Sequence, residues 1–124
     1  MQRRPRQHND KHLRFVRERP CIICGFSPCD AAHIKMPDAR IGKPMSTNLG
    51  MKASDHFTLP LCRKHHERSH QHPEREWWEY YHLDPVLLAL ALYAVSGDEQ
   101  EGDRLITNAM VSHQILGGTD ASHG

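Results

Sequence analysis

Two short pairs of metal-ligating residues, Cys21-x-x-Cys24 and Cys62-x-x-His65, constrain this chain more than any other feature. Ligands separated by two residues can reach one ion together, and zinc takes four nitrogen or sulfur ligands at tetrahedral corners. At 124 residues the chain makes one domain with a modest core, the size at which a staple of this kind adds most. The arginine-rich start is not followed by an apolar signal core, and thiols that stay reduced favour a metal over disulfides. Cys21, Cys24, Cys62 and His65 are therefore expected to hold a structural zinc. Cys29 is left over, and its odd spacing suits a buried or bystander thiol.

The run LCRKHHERSH offers more histidines than one zinc needs. Cys21, Cys24, His66 and His70 would also make a C-x2-C…H-x3-H set. A DNA-reading finger has about 12 residues between its pairs, whereas 41 separate Cys24 from His66; that finger class is excluded by length. With His65 paired to Cys62, His66 and His70 remain at i and i+4 of a helix-compatible segment. They share a face and can converge on a second ion or a phosphate.

Composition sets the remaining bounds. Apolar residues make 38% of the chain and charged residues 25%, as in a soluble globular protein. No apolar run approaches the ~18–20 residues of a membrane span, so a cytoplasmic protein with no membrane partner is expected. The net charge of +1 hides a split: residues 1–72 carry 14 Lys and Arg against 6 Asp and Glu, and residues 73–124 carry 2 against 9. A basic front and an acidic back suit a polyanion on one side and solvated helices on the other.

Along the chain, residues 1–10 read as a flexible basic arm and 11–72 as the zinc-stapled core. Residues 73–115 read as helices packing on that core, and 116–124 as a disordered tail. Within the core, His12 to Arg19 forms a short helix or strand, with Leu13, Phe15 and Val16 as its apolar positions. Gly25 closes the CIICG turn with a positive φ. Ala31 to Lys35 and Phe57 to Leu61 read as short strands, the second an edge or strand end because of Pro60. Residues 36–56 form a long loop, and Arg63 to about Gln71 a helix. Pro73 suits the first position of the next helix, which buries Trp77, Trp78 and Tyr81. Asp84 caps an almost wholly apolar helix that Gly97 ends, and Asp98 caps a last helix to about Ile115.

The succession CIICG, CDAAHIK, KASDHFTLPLC and RKHHERSH resembles the HNH endonucleases, most closely their zinc-knuckle branch of phages and prophages. The resemblance spans roughly residues 17–78. It implies an α+β protein: a small ββα-metal core, two short strands and a helix around one catalytic cation, stapled by zinc and followed by two to three helices. His33 matches the general base, and His66 and His70 match ligands of the catalytic cation, which could be Mg²⁺, Mn²⁺, Ni²⁺ or Zn²⁺. Asp55, with Asn48 as runner-up, takes the middle position that orients the base or helps hold the metal. Many relatives carry a His or Asp ligand directly before the base, where this chain has Ala32. Asp30 is a candidate substitute only if the chain turns there, because strand alternation points it away from His33.

The implied activity is metal-dependent hydrolysis of DNA phosphodiester bonds, in a phage or prophage recombination or packaging setting. Arg40, Lys43 and Lys52 on the long loop, with Arg63, Lys64 and Arg68 on the metal helix, are candidate phosphate contacts. Two other classes fit the sequence. One is a catalytically weak or inactive zinc module that binds nucleic acid, favoured by Ala32. The other is a protein-interaction domain, including a homodimer, that uses the C-terminal helices.

Overall fold

A computed structural model describes residues 9–45 and 54–116. Asn48, Lys52, residues 1–8 of the basic arm and residues 117–124 of the tail lie outside the described residues.

The described chain is a mixed α+β domain in which one two-stranded sheet is surrounded by five helices. Helix α1 spans Asp10–Arg17, which settles the type left open for that segment and starts it two residues earlier than expected. Its start follows from Asn9, whose side chain accepts a hydrogen bond from His12 N at 3.0 Å. That bond satisfies one of the free amides of the first turn. The buried face is His12, Phe15 and Val16, continued by Arg19, at helical spacings of three and four. His12 takes the inward place expected for Leu13.

Strand β1 (Asp30–His33) pairs antiparallel with β2 (Thr58–Leu61), placing His33 opposite Thr58 and Asp30 opposite Leu61. Pro60 has no N–H to donate, but its carbonyl accepts from Ile22 N at 3.1 Å, so the CIICG turn docks on the sheet edge. Gly25 sits at φ +79°, as that turn requires. The segment expected as a featureless loop is ordered at its start. Asp38 bridges Lys43 across a single 3-10 turn, Ala39–Ile41.

Helix α2 (Arg63–Ser69) follows β2 directly. Helix α3 (Glu74–Tyr80) starts one residue later than expected, with Pro73 at its N-cap. It buries Trp77 and Trp78, with Tyr81 just beyond its end. Helix α4 (Pro85–Ala94) is capped by Asp84 and packs on β2 and α5. Its other side leaves Leu87 and Tyr93 exposed. Helix α5 (Glu99–Ile115) is capped by Asp98 and clamps the N-terminal half. Gly102 lies so close to Phe15 that a Cβ there would meet its ring at 2.5 Å. The buried Arg19 reaches Glu99 O and Asp103 Oδ1. His113 Nε2 donates to Ile23 O at 2.9 Å, inside the CIICG turn.

Candidate metal centre and active site

Cys21 and Cys24 come from the turn before β1, Cys62 from the end of β2 and His65 from the first turn of α2. Their ligand atoms all lie within 4.8 Å of one another. A zinc–sulfur bond of about 2.3 Å sets tetrahedral edges of about 3.8 Å. Cys24 and Cys62 have their sulfurs 3.9 Å apart, and Cys21 Sγ is 3.8 Å from His65 Nδ1. Cys62 Sγ is 3.2 Å from the same nitrogen.

Without a cation these thiols hold their protons. Burial pushes Cys24 up to about 12 and raises Cys62. A hydrogen bond with Cys29, together with burial, raises Cys21. A doubly charged ion reverses that preference by stabilising the thiolates. These four residues thus form a group able to hold a metal, compatible with structural zinc. Among the described residues it is the one cluster of three or more such ligands. Cys29 is buried outside the cluster and donates to Phe26 O at 3.2 Å.

The remaining histidines of the motif lie on a separate cleft of about 290 Å³, lined by His33, His66 and His70 together with Ala32, Trp77 and Trp78. Each of two imidazoles there is held by a carboxylate. His33 Nε2 is 2.9 Å from Asp55 Oδ1; the His33 side chain is 25% exposed and Asp55 is fully buried. An ionised carboxylate only accepts. The geometry therefore puts the proton on Nε2 and leaves the Nδ1 lone pair available. The second oxygen of Asp55 accepts from Asn9 N at 2.7 Å, and Thr58 Oγ1 donates to the Asp55 carbonyl at 2.9 Å.

Asp30, three residues from His33, pairs instead with His66. Its Oδ2 is 2.8 Å from His66 Nδ1 and 2.9 Å from an Arg63 nitrogen, which leaves Nε2 as the free nitrogen of His66. His66 and His70 stand edge to face with ring centres 4.8 Å apart. Partial burial, then the neighbouring His66, lowers the pKa of His70. The expected catalytic-cation ligands are thus brought side by side, without a third ligand gathered around them among the described residues.

The expected phosphate contacts divide. Lys43 is a correction: it is buried, its Nζ donates to Met36 O at 2.7 Å and stands over the Phe57 ring, and it therefore belongs to the core. Burial also lowers its pKa. The Arg40 guanidinium is engaged by Asp38 and Asp84. Arg63 is exposed but paired with Asp30, Lys64 is exposed, and Arg68 is half-buried on α2. Sequence reasoning missed Asn9. Its signal was that of a helix N-cap, an Asn directly before a helical stripe, which says nothing about a distant carboxylate.

A family model described as a protein of unknown function, DUF968, matches residues 1–95. The chain belongs to that family. An uncharacterized Escherichia coli K12 protein, YdfU, is 40% identical over 68 residues, covering 55% of this DUF968 chain and 18% of YdfU. The matched stretch is thus about a fifth of that relative's length. No solved structure gives a significant match. The family match ends just after α4, so the residues that carry α5 lie beyond it. No helix among the described residues of the DUF968 chain is long and apolar enough to cross a membrane.

Proposed function

We propose that this DUF968 chain is a metal-dependent endonuclease of the HNH type that hydrolyses DNA phosphodiester bonds. The reading takes β1, β2 and α2 as a ββα-metal unit, with zinc at Cys21, Cys24, Cys62 and His65 as its staple. The supporting observation is the pair of carboxylate-backed imidazoles on one cleft, Asp55–His33 and Asp30–His66. A carboxylate behind an imidazole fixes its tautomer and so leaves the other nitrogen available. For His33 that nitrogen is Nδ1, suited to take a proton from an attacking water. For His66 it is Nε2, suited with His70 to hold a divalent cation.

When bound there, Mg²⁺, Mn²⁺, Ni²⁺ or Zn²⁺ would neutralise charge on the phosphate and leaving oxygen. Two imidazoles favour the later transition metals, and the small protein ligand set leaves positions for the substrate. Asp55 stays buried behind His33 and acts by orienting it. Lys64 and Arg68, with Arg63 once it exchanges Asp30 for phosphate, flank the cleft as contacts for a DNA strand. A reducing cytoplasm would keep the three thiols available to zinc.

Nicking of supercoiled plasmid by the purified chain, with each cation in turn and beside His33→Ala, tests the reading. Cation-dependent nicking by the parent alone supports it. Equal nicking by both proteins contradicts it. A second reading, a silent zinc module that binds nucleic acid, draws on Ala32 and on the lack of a third described ligand beside His66 and His70. Binding without cleavage under every cation would favour it.

A further inference from the structure

A general base is useful only in one tautomer, and the group that secures it for His33 lies outside the ββα unit. Asp55 is fully buried, so its oxygens need donors from the protein itself. His33 Nε2 serves Oδ1, and the main-chain N–H of Asn9 serves Oδ2 at 2.7 Å, across 46 residues of sequence. The two histidines near Asp55, the buried His12 and the half-buried His56, are both shifted toward neutrality, chiefly by burial. Neither supplies the full positive charge that would make the amide unimportant.

Asn9 is itself held in place. Its side chain accepts from His12 N at 3.0 Å and its carbonyl accepts from Leu13 N at 3.0 Å, so both ends of the residue are tied into the first turn of α1. Helix α1 is fixed in turn by His12 Nδ1 against Ser96 Oγ at 2.8 Å and by Arg19 against α5. We propose that Asn9 is a positioning residue for the base: its N–H clamps Asp55, and Asp55 holds His33 in the Nε2–H tautomer. The inference rests on the reading of His33 as general base. It makes α1, upstream of the HNH-like segment, a working part of the site.

The test uses the zinc-loaded full chain labelled with ¹⁵N-histidine, the His33 signals being assigned by their loss in His33→Gln. Ring ¹⁵N shifts report the tautomer directly, without substrate. The parent should show His33 as Nε2–H. Asn9→Ala, which leaves the amide in place but frees the turn that aims it, should show a tautomer mixture. Its kcat for nicking should fall by about 10–100-fold at unchanged KM, as when a partner behind a site residue is lost. Asn9→Ser, which restores the cap, should recover both.

A parent-like tautomer and kcat in Asn9→Ala would overturn the proposal. So would a kcat loss shared equally by Asn9→Ser, which would mark a merely structural effect. Should Asn9→Ala fail to fold, Asn9→Gly carries a milder form of the test: it removes the side-chain acceptor for His12 N at little cost to the helix end. It should show a smaller share of the second tautomer, and a parent-like tautomer there would overturn the proposal. Absence of cleavage in the parent would defeat the nuclease reading alone, since the tautomer is measured independently of it.

Discussion

His65 and His66 are neighbours in sequence, yet they serve sites of opposite character. One helical step turns successive side chains by about 100°. That rotation sends His65 inward to three cysteines, where it is 1% exposed, and His66 out to the cleft, where its side chain is 20% exposed. The knuckle gathers four soft ligands at near-tetrahedral spacing with no open position. The cleft gathers two imidazoles backed by carboxylates and leaves room beside them. Closed, sulfur-rich sets hold a metal for the sake of the fold, whereas open sets let it exchange and meet a substrate. The difference teaches that residue type alone does not assign a histidine. What stands behind its second nitrogen does.

The contrast can be broken hardest at the knuckle. Cys62→Ser should lose zinc and fold together, because structural zinc contributes about 10–16 kcal/mol of binding free energy in small zinc domains. Zinc content and far-UV circular dichroism, measured together, check this; a folded, zinc-free variant would remove the knuckle's structural role. At the cleft, Asp55→Asn should lower kcat for plasmid nicking by about 10⁴-fold, the scale seen when a triad histidine is left in the wrong tautomer. Zinc content should be unchanged, and loss of zinc in that variant would merge the two sites.

Gly102→Ala probes the clamp from α5. A Cβ 2.5 Å from Phe15 and 3.2 Å from Arg19 forces repacking, at a cost of about 1–3 kcal/mol by thermal or urea melts. Asp30→Asn should raise the cation concentration needed for nicking by about 10–100-fold, as for other partners behind metal-binding histidines. It should leave the zinc in the knuckle, which equilibrium dialysis against each cation can separate.

Acidification gives the most graded effect. Burial lowers the pKa of His12 from 6.5 to about 4 in the folded chain. The folded state therefore binds this proton less readily than the unfolded one, and the associated stability is complete above pH 6.5. It is lost progressively as pH falls toward 4. Melts between pH 7 and pH 4.5 should show a shallower decline in His12→Gln than in the parent; identical slopes would place the acid sensitivity elsewhere.

Much of the frame was legible because it is written in local signals. Asp84 and Asp98 each precede a helical stretch and cap it, and the Cys-x-x-Cys and Cys-x-x-His pairs come together as ligands. Helix α1 was harder, because half of its inward stripe, His12 and Arg19, consists of polar residues whose burial depends on Ser96 and Asp103 far along the chain. Lys43 read as a phosphate contact for the same reason. Its carbonyl partner on Met36 and its place over Phe57 exist only once the 3-10 turn closes. Strand alternation set Asp30 apart from His33, yet Asp30 backs His66 on the same cleft, a pairing that depends on how α2 crosses the sheet. The Asn9–Asp55 contact joins residues 46 apart and leaves no pattern in sequence.

The separation of a retained metal from an exchangeable one can be read on a single preparation. The purified chain is dialysed against EDTA, its zinc is counted by mass spectrometry, and plasmid nicking is assayed before and after Mg²⁺, Mn²⁺ or Ni²⁺ is returned. The account predicts one zinc retained per chain, no nicking after dialysis, and nicking restored by an added cation in the parent but not in His33→Ala. Nicking that persists in EDTA with the zinc, or that His33→Ala retains, would contradict it.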